Sequence, residues 1–523
     1  MTFTPAPHTT QNWHLTKPAA SGKRGMVVSQ SKSAAEAGVA VLDAGGNAID
    51  AVVATALALA SAEPWNSGLG GIGHALIHRV GEARADAVDF GPTAPAGLDP
   101  SRFKLTGKVA ADLFGWPEVE GDANIHGPLS FAIPSAIAGY SEMHKRWGKL
   151  PLGEIAAPAI ALAKRGLPQD WHTTLKVANS AAILRLYPES ARVYLRDGLP
   201  PIAPYQGGLS YFRQGRLPET LERLATAGWR DFYEGEIAAA IAADVRAMGG
   251  VLSAGDLRGC KARVMQAVET SWRGRTLQLT GPLTAAPTAA DVLRQMESAR
   301  FGKEPDAAWY VALARALKSA YAQRLESLGD AEPVAAESCT THITVADADG
   351  TMVAMTTTLL SSMGSRVVLP ATGILMNNGV MWFDPRPGQP NSIGPGKRPL
   401  TNMFPIILRD GAAPLIAAGA SGGRRIMAAV LQLMSFVADF GMAPEKAAHQ
   451  PRIDVSGPGL VTADRRLAPE TLRALEADGP VEIVEHGVLP LNFACPNLLM
   501  QRDGVRTGIS DAASPWSAAV AQA

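Results

Sequence analysis

The chain has 523 residues, 48 Lys+Arg against 48 Asp+Glu, a formal net charge of zero and three cysteines. Balanced charge argues against a nucleic-acid partner bound through a basic face, because phosphate contacts need an excess of Lys and Arg. Hydrophobic residues at 47% and charged ones at 18% leave enough apolar surface to bury a large core, in one big domain or several.

Residues 1–24 read as a polar tail, with Pro5, Pro7, His8 and Pro18. The tail lacks the basic-then-apolar pattern of a leader, and no apolar run reaches the ~18 residues of a membrane span. A cytoplasmic address with no membrane partner is the expectation. From Gly25, GMVVSQ reads as a strand, and SKSAAEAGVAVLDAGG as a helix capped by Ser33 with Glu36 three residues on. Gly45 and Gly46 end it, and Asn47 caps a second helix that is apolar nearly all round. HALIHRV is strand-like. The stretch from Ala94 to Gln295 reads as mostly helical and broken by proline, and the helical style continues to about residue 329. From Thr340 the texture changes to alternating strands, followed by a Gly/Pro-rich loop at 384–400 and then a strand, turn and helix through GASGGRRI.

Several motifs have ordinary explanations. Gly68–Gly73 matches GxGxxG but follows a helix and precedes a strand, the reverse of a dinucleotide site, so it reads as a tight turn. Gly419–Gly423 matches GxSxG between a strand and a helix, with His449 and His486 downstream. The first two-thirds of the chain lacks the strand-helix alternation a Ser421 hydrolase would need. The ten His are scattered without metal-ligand spacing. Cys260, Cys339 and Cys495 are too far apart for a disulfide framework and read as small buried hydrophobes. No cofactor is expected.

The hairpin after residue 338 is the most informative segment. Asp349-Gly350 is a turn signal, and folding about it sets Thr340 opposite Thr358. By itself this is an ordinary cross-strand threonine pair. Its setting is not ordinary. The blocks GMVVSQSKSAAEAGVAVLDAGGNAIDAVVATALALASAEPWNSGLGGIGH, TTHITVADADG, GILMNN, PGKRPL and GASGGRRI, with DFGM behind them, run in order from Gly25 to about Asp454. Together they resemble the gamma-glutamyltranspeptidase family of N-terminal-nucleophile hydrolases. The resemblance implies an α/β fold, a four-layer αββα sandwich with two stacked antiparallel sheets. It also implies a proenzyme cut between Cys339 and Thr340, giving a large piece, 25–339 behind the tail, and a small piece, 340–523, held together as one domain. Thr340 would be the nucleophile, Thr358 its hydrogen-bonding partner, and Gly422 and Gly423 the oxyanion donors. A dimer of such heterodimers would also be compatible.

The part of the family pattern that grips a gamma-glutamyl group is altered. The positions that would hold its Arg, Asn, Gln, Asp and Ser-Ser pair are Gly91, Leu360, Gly379, Trp382, Thr401 and Asn402. Without the Arg, no guanidinium fork meets the α-carboxylate there. Arg424, directly after the oxyanion glycines, is a candidate grip for a carboxylate elsewhere on the substrate; its ordinary reading is a solvent-facing residue at a helix start. Arg425 matches the family's own Arg and reads as structural. The loop from Trp382 to Thr401 is shorter than in lidded members. The expected substrate is a small carboxylate-bearing amide with water as co-substrate, and oxamate amidohydrolases and cephalosporin or glutaryl acylases are the relatives that fit. A true gamma-glutamyl enzyme and a non-catalytic relative are the alternatives.

Overall fold

The computed structural model describes residues 15–110, 115–328, 338–456, 459–485 and 492–523. The first 14 residues of the tail, and His486, lie outside them. Two seven-stranded sheets stack face to face, and every pairing in them is antiparallel. One sheet runs Ala518–Ala521, Met26–Ser29, Ser338–Ala346, Met352–Ser361, Ile72–His78, Asp86–Phe90, Arg263–Gln266. The other runs Ala20–Gly22, Val505–Ser510, Cys495–Arg502, Ala413–Ser421, Ile406–Asp410, Arg275–Leu279, Val268–Trp272. Each sheet takes strands from both sides of residue 340.

The period of two along the strands sorts side chains into layers. Met26, Val28, Leu76, Ala346, Met352 and Ala354 meet Ile407, Ala417 and Leu499 between the sheets. Their neighbours Val27, Ile343, Val345, Val353 and Met355 face helices that include Lys32–Asp43 and Ala48–Ala62. On the far side, Ile406, Leu408, Ile416 and Ala418 pack under Ala286–Met296, Ala307–Leu328 and Ile426–Ala438. The result is helix, sheet, sheet, helix, the expected sandwich.

Local chemistry explains the elements nearest the site. Asn47 Oδ1 accepts from Ile49 N and Asp50 N, while Asp50 Oδ2 accepts from Asn47 N, a complete capping box. The helix it starts, Ala48–Ala62, is buried along almost its whole length. The cap expected at Ser33 is not there. The first helix begins at Lys32 with Ser31 as N-cap, and no side chain caps it. The hairpin turn is held by Asp347 Oδ1, which accepts from Gly350 N and Thr351 N at 3.0 Å each.

The stretch 94–295 is less helical than its composition suggested. It contributes Arg263–Gln266, Val268–Trp272 and Arg275–Leu279 to the sheets. Positive φ at Arg273 (48°) and Gly274 (80°) makes the tight turn of that hairpin. The helical reading failed because these strands are short and partly exposed, so their alternation is weak.

The two sheets meet closely where Gly419 faces His342. A Cβ added at Gly419 would lie 2.2 Å from His342 Cε1. Gly419→Ala is expected to lose about 1–3 kcal/mol through overpacking, read as a lower thermal midpoint by calorimetry. An unchanged midpoint would show that the sheets are free to separate there.

Candidate active site

Thr340 sits on strand Ser338–Ala346, and side-chain alternation decides where it points. His342 and Ala346 face the opposite sheet, so Thr340 does too. Thr356 and Thr358 share that face, since His342 Nδ1 and Thr356 Oγ1 are 2.9 Å apart. Thr340 Oγ1 lies 3.3 Å from Thr358 Oγ1, and Thr340 is buried. The pairing read from the turn centre is therefore found, with one irregularity. The register passes from Thr341↔Thr357 to Cys339↔Leu360, so the partner strand carries an extra residue beside Thr340. Thr358 Oγ1 accepts from Leu360 N at 2.8 Å inside this bulge, and Leu360 takes φ +87°. Cys339 is described only in its backbone.

The glycine turn lies at the end of Ala413–Ser421, the strand that brings Gly419 to His342. Gly422 and Gly423 have φ of +137° and +58°, and a Cβ on Gly422 would be 2.7 Å from Ala494 Cα. The short 3₁₀ turn Gly423–Arg425 packs against the strand that carries Thr340. Ser421 Oγ accepts from Gln30 Nε2 at 2.6 Å, a partner that is no base for a nucleophile. Arg424 is 9% exposed, which overturns its solvent-facing reading. Its carbonyl accepts from the Tyr321 hydroxyl. Arg425 is close enough to Asp454 to pull that buried carboxyl down against the larger upward push of burial, in keeping with a structural role.

Leu360 and Trp382 join Ile72, Trp116, Met381 and Met403 in one buried apolar cluster. Ile72 is the residue opposite Thr358 in the sheet, so this cluster borders the threonine pair. Thr401 and Asn402 are tied to Leu283 and Arg324. Thr401 Oγ1 donates to Leu283 O at 3.0 Å, and Arg324 Nη2 donates to Thr401 O and Asn402 Oδ1. Gly91 donates its N–H to Asp89 Oδ1 at 2.9 Å, and a Cβ there would be 2.8 Å from His74 Nε2.

Sequence reasoning passed over the ion cluster beside Gly91. Arg398 Nη2 reaches both Asp89 oxygens, at 2.5 and 2.7 Å. Burial pushes the Asp89 carboxyl up, but His74 and Arg398 outweigh it and hold it below its usual value. Burial pushes His342 down to about 3, so it stands neutral between the sheets. Among the described residues no three of His, Cys, Asp and Glu cluster as a metal site, and no helix is long and apolar enough to cross a membrane. Cys260 and Cys495 are buried free thiols.

Comparison with known proteins gives the family. The sequence pattern of gamma-glutamyltranspeptidases matches residues 34–339 and 333–488. A glutathione hydrolase proenzyme from Escherichia coli is 29% identical over 94% of this chain and 90% of its own length. The acylase ACY 1 proenzyme of a Pseudomonas strain is 31% identical over 88% of both. In architecture, a cephalosporin acylase from Bacillus halodurans superposes with a TM-score of 0.83, covering 99% of each chain at 23% identity. The chain therefore belongs to the gamma-glutamyltranspeptidase family of autoprocessed amide-bond hydrolases.

Proposed function

We propose that this hydrolase cuts itself between Cys339 and Thr340 and then opens the amide bond of a small carboxylate-bearing amide of the oxamate type. The observation that carries the departure from gamma-glutamyl substrates is Gly91. The family's carboxylate-gripping Arg would stand there, yet even a Cβ would lie 2.8 Å from His74 Nε2. Leu360 and Trp382 line the neighbouring wall with apolar surface, a poor setting for an ammonium. The buried Arg424 directly follows the glycine turn.

The proposed chemistry follows from the site. A threonine hydroxyl is a weak nucleophile without a base. Once the chain is cut, Thr340 carries its own α-amine, with a pKa of roughly 7.7–8.0, which takes the Oγ proton as Oγ adds to the amide carbon. The N–H groups of Gly422 and Gly423 would meet the oxyanion, each donor worth about 10²–10³ in rate. The amine then protonates the leaving nitrogen, and water releases the acyl group from Thr340. The two pieces stay associated because each sheet interleaves strands from both. A second reading, an acylase for a larger apolar acyl group, is favoured by the size of the cluster around Trp382.

On a denaturing gel the protein is expected as two bands, the smaller beginning at Thr340 by N-terminal sequencing. Thr340→Ala should give one band and no activity; residual activity would sink the assignment of the nucleophile. In a panel of oxamate, N-acyl amides and gamma-glutamyl anilides, turnover should favour oxamate-like amides, and robust gamma-glutamyl turnover would refute the specificity argument. Arg424→Met is expected to raise KM for a carboxylate-bearing amide about tenfold to a hundredfold while the chain still cuts itself. An unchanged KM would remove Arg424 from the substrate.

A further inference from the structure

On the other side of the nucleophile strand lies a second polar group that the reaction above does not use. Thr341 faces it, because Thr340 and His342 face the opposite sheet. Glu63, just past helix Ala48–Ala62, stands against Thr341 and is 1% exposed. Asn66 Nδ2 donates to Glu63 Oε1 at 2.6 Å. Lys176, buried on helix Trp171–Leu184, faces both Glu63 and Cys495. His172, one turn earlier, packs edge-on against Trp65 at 5.0 Å. Gln30 closes the group toward the glycine turn, donating to Ser421 Oγ at 2.6 Å and Cys495 O at 2.9 Å.

Beside Thr341, whose hydroxyl reaches toward Glu63, these residues carry buried polar atoms that complete no hydrogen bond among the described residues: Glu63 Oε2, Gln30 Oε1, His172 Nε2 and Trp65 Nε1. Buried polar groups are nearly always bonded to protein or to ordered water. Orphaned donors and acceptors gathered around one carboxyl suit bridging water. Strand Met26–Ser29 pairs with the nucleophile strand only as far as Ile343↔Ser29. Beyond that point Gln30 turns away toward Ser421, and the His342 carbonyl accepts from Asn497 Nδ2 instead of from a neighbouring strand.

Burial pushes the Glu63 carboxyl up to about 7, with Thr341, Lys176 and Asn66 holding it back. Burial, with Lys176 adding to it, pushes His172 down to about 3, and His342 is neutral as well. The groups facing Glu63 are thus a cation from the helix Trp171–Leu184, a hydroxyl from the nucleophile strand and an amide from the loop after its own helix.

We propose that this buried acid–base site serves the self-cleavage step: Glu63, through bridging water, hands a proton to the Thr340 nitrogen as the Cys339–Thr340 peptide bond breaks. The inference rests on Thr340 being the residue after the cut. Thr340 Oγ bonds to the Cys339 carbonyl carbon, the C–N bond breaks, and the nitrogen leaves as an amine carrying the proton from Glu63. The Oγ proton returns to the Glu63 carboxylate through the same water, so the carboxyl is unchanged over the step. One further water then hydrolyses the ester to the Cys339 carboxylate and the free Thr340 hydroxyl. Glu63 touches no reacting atom and is a positioning residue for proton delivery.

The test is the pH profile of the cut itself. Before cleavage the Thr340 nitrogen is an amide and does not titrate, so the mature enzyme's own base is absent from the profile. Full-length chain from cell-free synthesis at low temperature is shifted to buffers from about pH 5 to about pH 9, and the loss of precursor is timed on gels. The protonated carboxyl is the active form, so the wild-type rate should fall as pH rises through about 7. Glu63→Gln should slow the cut about a hundredfold and flatten the profile, with the thermal midpoint and the Thr340 start of the small fragment unchanged. Lys176→Met removes a cation that stabilises the carboxylate, so the falling limb should move to higher pH; this variant serves if Glu63→Gln does not fold. A flat wild-type profile, or a Glu63→Gln profile identical to wild type, overturns the role of Glu63 while leaving the cut in place. A small fragment that starts elsewhere overturns the Thr340 assignment itself.

Discussion

The contact between Gly419 and His342 is the constraint on which the site depends. Two sheets normally stack about 10 Å apart, and here one glycine without a side chain lets a buried imidazole seat against the facing strand. That seat fixes how far each strand runs past the other. Two residues before His342 comes Thr340, and three residues after Gly419 comes Gly422. The threonine hydroxyl and the glycine turn thus lie on strands joined across the sandwich by this packing. The neutral state of His342 fits this role, because a charged imidazole between two apolar sheet faces would be expensive to bury.

Strain collects beside the same end. Leu360, Met363 and Arg366 take φ of +87°, +59° and +60° within seven residues of chain. Non-glycine residues hold such angles only where surrounding contacts over-determine them. Here the contacts are visible: Thr358 and Asn378 accept the N–H groups of Leu360 and Ser361, and Arg366 Nη1 donates to Ser361 Oγ and Gly364 O. The bulge turns Thr358 toward Thr340 and places Leu360 in the apolar cluster. The threonine pair and the apolar cluster beside it are thus placed by one irregularity in one strand. The two faces of the nucleophile strand also divide the polar groups: the threonine pair and glycine turn on one side, Glu63 and Lys176 on the other.

The threonine pair and the glycine turn were legible because they are local. The Asp349-Gly350 turn fixes a register by counting, so Thr340 and Thr358 could be paired from the chain alone, and Asn47 announces its helix through a cap that involves only its immediate neighbours. The glycine pair was legible as a turn between a strand and a helix. What failed was also local in cause. Ser33 has the spacing of a capping box, but the helix starts two residues earlier, where Lys32 N is held by Trp516 O. The strands at 263–279 are too short and too exposed to show a clean period of two.

Other features were invisible because they join residues far apart in the chain. Nothing near Gly91 foretells that Arg398 and His74 crowd it, and nothing near Arg424 says whether a cation at a helix start is wet or buried. Glu63 looks like an ordinary helix-end carboxylate until Lys176 and Thr341 are set against it. The sequence by itself determined the hairpin, the nucleophile candidate and the glycine turn, since backbone dihedrals and side-chain alternation are short-range properties. Only the tertiary structure decided which side chains share a dielectric environment. Burial, charge proximity and steric room depend on elements hundreds of residues apart, and those are the quantities that surround Gly91, Arg424 and Glu63.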